Sequence, residues 1–136
     1  MNYYKQKGLA ISEFLISLPL LLAVFTLITD IGYYLIQQNM LNKQVQNGAN
    51  FAAINIQDDI FPSEDVIKNI VAHGIPNEDS YISFIGKDNV SVLVDYQMKV
   101  IKVTANSTYN SFFSTLSNIE IGNIPLTATT IVAFRN

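Results

Sequence analysis

Phe14-Leu15-Ile16-Ser17-Leu18-Pro19-Leu20-Leu21-Leu22-Ala23-Val24-Phe25-Thr26-Leu27-Ile28-Thr29 is a run of sixteen residues without a charge. Leu9, Ala10 and Ile11 extend it towards the N-terminus, and Asp30 interrupts it on the other side. Gly32-Tyr33-Tyr34-Leu35-Ile36 then carry it on. A helix needs roughly 20 apolar residues to cross about 30 Å of hydrocarbon. The uncharged run alone is short of that, but with its two flanks it is long enough. Tyr33 and Tyr34 suit a membrane–water interface. Lys5 and Lys7 precede the run, so the positive-inside rule puts the N-terminus in the cytoplasm and the rest of the chain outside.

Three readings of this segment compete. A cleaved secretory signal peptide is disfavoured, because the apolar part is too long and no convincing small-residue cleavage site follows it. A plain membrane anchor is the second. The third turns on Glu13, an acid placed after only four uncharged residues of the apolar segment. An ionised carboxylate inside a membrane costs about 2.5–3.5 kcal/mol on insertion scales, so it usually has a partner. At the headgroup level, near Lys5 and Lys7, the same residue would cost little.

Lys7-Gly8-Leu9-Ala10-Ile11-Ser12-Glu13-Phe14 resembles the processing site of type IV prepilins. That site is a basic leader ending in glycine, then four residues, a glutamate and an aromatic. The resemblance implies that a prepilin peptidase cuts between Gly8 and Leu9, leaving Glu13 and Phe14 near the start of the mature chain. Residues 1–8 would be a cytoplasmic leader, 9–36 the membrane and assembly helix, and 37–136 an extracytoplasmic domain. Cleavage creates an α-amine at Leu9, charged near neutral pH. Among packed apolar helices that amine needs an anion. Glu13 of a neighbour could supply it and set the axial register between subunits.

The resemblance extends further. Asp30-Ile31-Gly32-Tyr33 and Asn47-Gly48-Ala49-Asn50-Phe51-Ala52-Ala53 are similar to TadE-like proteins of the tight adherence (Flp pilus) system, with Pro19 inside the leucine-rich stretch. Leu126-Thr127-Ala128-Thr129-Thr130 matches the family's closing β segment weakly. Two departures are Asn50, where the family often has a basic residue, and the absence of the cysteines many members carry. The related TadF-like branch stays open beside it. The family implies a pseudopilin or minor pilin whose partners are a prepilin peptidase, other pilins or pseudopilins, the inner-membrane assembly machinery and membrane lipid.

Beyond Tyr34, Ile36, Met40, Leu41, Val45, Ala49, Ala52, Ala53 and Ile56 recur at helical spacing, with Gln37, Gln38, Asn42, Lys43, Gln46 and Asn50 between them. One helix is expected over about 9–56, on the order of 70 Å long. Gly48 and the alanines form a thin face that could pack on the chain's own sheet or on a partner helix. Pro62-Ser63 opens a second helix with Ser63 as N-cap, and Gly74 with Pro76 closes it. Strands are expected from Tyr81 to Ile85, along Val90 to Tyr109 with a break near Asp95–Met98, and over Leu126–Phe134, with a turn at Gly86–Asn89 and a loop over Phe112–Gly122. The expected fold is α+β: a long N-terminal helix packed on a small antiparallel sheet, as in pilins.

The 136 residues suit one domain, carry a net charge of −3 and are 14% charged and 49% hydrophobic. No basic surplus favours nucleic acid. With no cysteine there are no disulfides, thiolate metal sites or cysteine nucleophiles. The single histidine, His73, has no imidazole or thiol partner for nucleophilic catalysis. The acidic pairs Asp58-Asp59, Glu64-Asp65 and Glu78-Asp79 read as helix ends and solvated turns, not as a calcium loop. No catalytic, cofactor or metal site is expected, and the chain is read as a non-enzyme. The alternative to a pilus role is a single-pass anchored binding or adhesion protein, for which the asparagine-, serine- and threonine-rich outer domain is compatible.

Overall fold

A computed structural model describes residues 3–56, 60–74, 85–112 and 123–134, with side chains from Ile11 onward in the first helix. Apart from Ile85, which is buried, the expected strand at Tyr81–Ile85 lies outside the described residues, as does most of the loop at Phe112–Gly122. The element order is α1 (Tyr3–Ile54), α2 (Glu64–His73), a 3-10 turn (Lys87–Asn89), β1 (Val90–Asp95), β2 (Val100–Tyr109) and β3 (Ile124–Ala133). The sheet is antiparallel with order β1-β2-β3. This is the α+β arrangement expected from the sequence.

Helix α1 has 52 residues, which at 1.5 Å each makes it about 78 Å long. It begins before Leu9 and ends short of Ile56. As far as Ile28 its described residues are exposed, apart from the half-buried Ala23 and Thr26. Pro19 sits inside it and has no N–H to give the Leu15 carbonyl. Three hydroxyls in this half donate back into the helix: Ser17 to the Phe14 carbonyl (3.0 Å), Thr26 to Leu22 (2.8 Å) and Thr29 to Phe25 (2.9 Å). Side-chain donors bonded in this way face an apolar surrounding without a desolvation penalty.

The second half of α1 is a core element. Leu41, Val45, Ala49 and Ala52 are fully buried. Ile36 and Met40, expected on the same stripe, are exposed instead. At about 100° per residue Met40 is turned off the Leu41 line, and Ile36 lies nearly opposite it. The buried line meets Ile67 and Val71 of α2, and Val90, Ile101, Val103, Ala105, Leu126 and Ala128 of the sheet.

Helix α2 starts with Glu64 and Asp65, where acids suit the positive end of the helix dipole. Ser63 stands at the N-cap but makes no side-chain capping bond. Its backbone carbonyl instead accepts from the Val66 and Ile67 amides at 3.0 and 3.2 Å. Gly74 closes the helix at φ 77°, its amide donating to the Ile70 carbonyl at 2.8 Å.

The break between β1 and β2 is set by Asp95. Its Oδ1 accepts from the amides of Gln97 (2.9 Å) and Met98 (3.0 Å), folding the chain back before Lys99, at φ 54°, joins β2. The sheet then sorts by parity. Val90, Ala105 and Ala128 stand in one inward row, and Leu93, Lys102 and Ile131 in one outward row. Hydroxyls and amides dominate the rest of the outer face, with Thr104 paired to Thr129 (3.1 Å) and Thr127 to Asn106 (3.0 Å).

The thin face of α1 packs inside the chain. A Cβ built on Gly48 would overlap Cγ2 of Val71, so α1 and α2 cross here with no room for a side chain. Gly48→Ala is expected to lower stability by about 1–3 kcal/mol, the usual range for overpacking. Val71→Ala in the same chain should recover part of that loss, because the two changes share one contact. Denaturant unfolding of the detergent-solubilised chain measures both, and an unchanged midpoint for Gly48→Ala would contradict the close crossing.

Candidate assembly helix and its clasp

Asp30 is the first buried residue along the described part of α1, at 9% exposure. It stands at the end of the uncharged run. Its carboxylate is met by the segment that leaves β2. The Tyr109 hydroxyl donates to Oδ1 at 2.8 Å, the Phe112 amide donates to Oδ1 at 2.7 Å, and the Ser111 hydroxyl donates to Oδ2 at 2.6 Å. Tyr109 also lies 3.2 Å from the Asp30 carbonyl.

Chain periodicity explains why these groups meet. On α1, Asp30, Tyr34, Gln38, Leu41 and Val45 recur at three- and four-residue intervals and share one face. On β2 the inward parity runs Ile101, Val103, Ala105 and Tyr109, so Tyr109 is the last residue of the strand aimed at that face. Ser111, two residues further on, keeps the direction. The pairing Tyr109↔Ile124 fixes the start of β3 at the same level. The Tyr34 and Tyr109 rings pack edge to face at 5.9 Å. Higher on the helix, Gln38 Nε2 donates to the Thr127 carbonyl at 3.0 Å and so covers part of the exposed edge of β3.

The electrostatics follow from this geometry. A buried carboxylate needs hydrogen-bond donors, and three short charge-assisted bonds supply them. The Tyr109 phenol is pushed above its ordinary value of 10.0, first by burial and then by the hydrogen bond it donates to Asp30. Its neutral, donating form is the one the fold requires.

The structure leaves the residues of the processing signal apart from this clasp. Gly8 and Leu9 lie within the α1 backbone. Glu13 and Phe14 are exposed, and Glu13 is seventeen residues, about 25 Å, along the helix from Asp30. Among the described residues, no group of three or more His, Asp or Glu could hold a metal ion. His73 is half-buried in the last turn of α2. The clasp itself was hidden in the sequence. Its only trace was an acid at the end of an apolar run, and its donors come from some eighty positions later.

One helix is long and apolar enough to cross a membrane, and only 6% of its most apolar stretch is buried inside the fold. A core helix of a soluble protein would be mostly covered. The architecture is that of an α+β domain carried on a helix of membrane-anchor type. Residues 8–50 match the family model of TadE-like proteins. No curated protein and no solved structure matches the chain. The matched residues, about a third of the chain, hold Gly8, Leu9, Glu13, Phe14, Asp30 and Gly48.

Asp30→Asn and Tyr109→Phe are each expected to destabilise the chain by about 1–3 kcal/mol, as for hydrogen bonds to charged groups. The double variant should lose less than the sum, because both act on one bond. The phenol also gives a signature in base. A raised value in the folded state means a contribution fully present below pH 10.0 and lost as the pH climbs through the raised value. Ultraviolet difference titration against Tyr109→Phe should place this tyrosine above 10.0, and a midpoint at or below that value would contradict the buried donor.

Proposed function

We propose that this chain is a minor pilin or pseudopilin, a non-enzymatic component that helps assemble or initiate a Tad-type pilus through its N-terminal helix. The observation that carries the reading is the apolar half of α1. It is uncovered by the rest of the fold and is joined to the outer domain at Asp30. Such a surface is covered by lipid in a membrane or by other apolar helices in a filament. The helix leaves the cytoplasmic membrane with the N-terminus inside and the outer domain on the far side, as Lys5 and Lys7 direct.

In this reading a prepilin peptidase cleaves after Gly8 and the new α-amine at Leu9 pairs with Glu13 of a neighbouring subunit. The exposed position of Glu13 supports a role between chains. A pair of this kind in an apolar bundle acts as a register device. Partners are then other pilins or pseudopilins and the assembly machinery of the membrane.

The test is the intact mass and N-terminal sequence of the membrane-extracted protein, with and without the peptidase. A chain that begins at Leu9 only when the peptidase is present supports the reading. A chain that begins at Met1 in both cases removes it and leaves an ordinary anchored protein. Glu13→Ala should leave membrane insertion intact or improved, while recovery in sheared pili falls at least about tenfold, a loss of roughly 1.4 kcal/mol in subunit association. Unchanged recovery would rule out the register role.

A further inference from the structure

We propose that the base of the outer domain is seated on membrane lipid, so that the domain lies on the bilayer and does not stand clear of it on the helix. The proposal rests on the membrane-anchor reading of α1. Its first support is depth. A span of about 20 residues that ends at Asp30 begins at Ile11. The uncharged run that the fold leaves uncovered ends at Asp30, the first residue the fold buries along the described part of α1, and the proposed seat sets the hydrocarbon boundary there, with the clasp bringing the end of β2 to the same level. The Phe112 amide is 2.7 Å from the Asp30 carboxylate, so the Phe112 ring cannot be far from that boundary.

The second support is the chemistry of the surface found there. Phe112 is 51% exposed and Tyr33 57%, although both belong to types that bury in a soluble domain. Aromatic residues at this depth are the usual belt of a membrane interface. Between the helix and the sheet lies a cavity of about 300 Å³ walled mainly by the apolar groups of Leu27, Ile31, Tyr34, Tyr109 and Ile124, with Asp30 and Ser111 also on its lining. Two of its wall residues, Leu27 and Ile31, are also exposed on the surface of α1. The same hydrocarbon that covers Leu27 can enter it. Among the described residues Asp30 is the acid at this level, and its carboxylate is turned inward to the Tyr109, Ser111 and Phe112 donors, so it presents no bare charge to the headgroups.

The chain has no tryptophan and no cysteine, so introduced probes report alone. Three single-tryptophan variants of the full chain would be placed in phosphatidylcholine–phosphatidylglycerol vesicles containing lipid brominated near the headgroup. Phe25→Trp reports the anchor, Phe112→Trp the base and Met98→Trp the opposite end of the sheet, where Met98 is 75% exposed. Phe112→Trp should be quenched about twofold, as for an interfacial aromatic, and Met98→Trp should not be quenched. Asn110→Cys carrying a nitroxide gives the same depth without touching Phe112, and should be more accessible to oxygen than to a water-soluble relaxant.

Quenching at 25 with none at 112, together with a water-accessible label at 110, overturns the seat and leaves the anchor standing. A blue-shifted but unquenched tryptophan at 112 means protein covers the base, as a second copy would, and also overturns it. No quenching at 25 would remove the anchor reading itself.

Discussion

A carboxylate at the end of an apolar helix is the constraint around which this molecule is arranged. Asp30 cannot be left bare beside hydrocarbon, and it is not left to water either. The hydroxyls of Tyr109 and Ser111 and the amide of Phe112 hold it at 2.6–2.8 Å. Those donors sit where β2 ends, so satisfying one acid fixes the position of a strand terminus. The sheet follows, because β2 is its central strand. Burial and charge act together here: each alone would be unfavourable, and the hydrogen bonds make the combination tolerable.

The tie at Asp30 is one of several between the helix and the domain. Gln38 reaches the Thr127 carbonyl further along, Leu41 and Val45 fill the core, and Gly48 lets α2 cross at close range. Together they turn the second half of α1 into part of the outer domain. The first half keeps an uncovered apolar surface. One continuous helix thus has an uncovered apolar half and a half packed into the domain, and the change between them falls at Asp30. The orientation of the helix therefore sets the orientation of the domain.

Much of this was legible in the sequence. The uncharged run gave the anchor, the recurrence of Leu41, Val45, Ala49 and Ala52 gave the core face, and the alternation of Val90, Val92 and Val94, followed by Ile101 and Val103, gave the strands. These are local periodicities, and a single chain displays them directly. What was missed depended on particular side-chain bonds. Asp95 makes the hairpin turn by accepting two amides, which its residue type permits but does not announce. Ser63 stands where a capping residue should and caps only through its backbone. Ile36 and Met40 were placed on the buried stripe because three- to five-residue spacing is a loose filter. Asp30 was seen as an interruption, since nothing local says that a tyrosine and a serine far along the chain will close on it.

The Asp30 carboxylate fastens the α+β domain to the apolar half of α1. Amide hydrogen exchange at Phe112 in the detergent-solubilised full chain tests this most directly, because that amide donates straight to Asp30. The account predicts a protected Phe112 amide in the native chain and loss of that protection in Asp30→Ala, with the amides at the centre of β2 still protected. A Phe112 amide that exchanges freely in the native chain would contradict it.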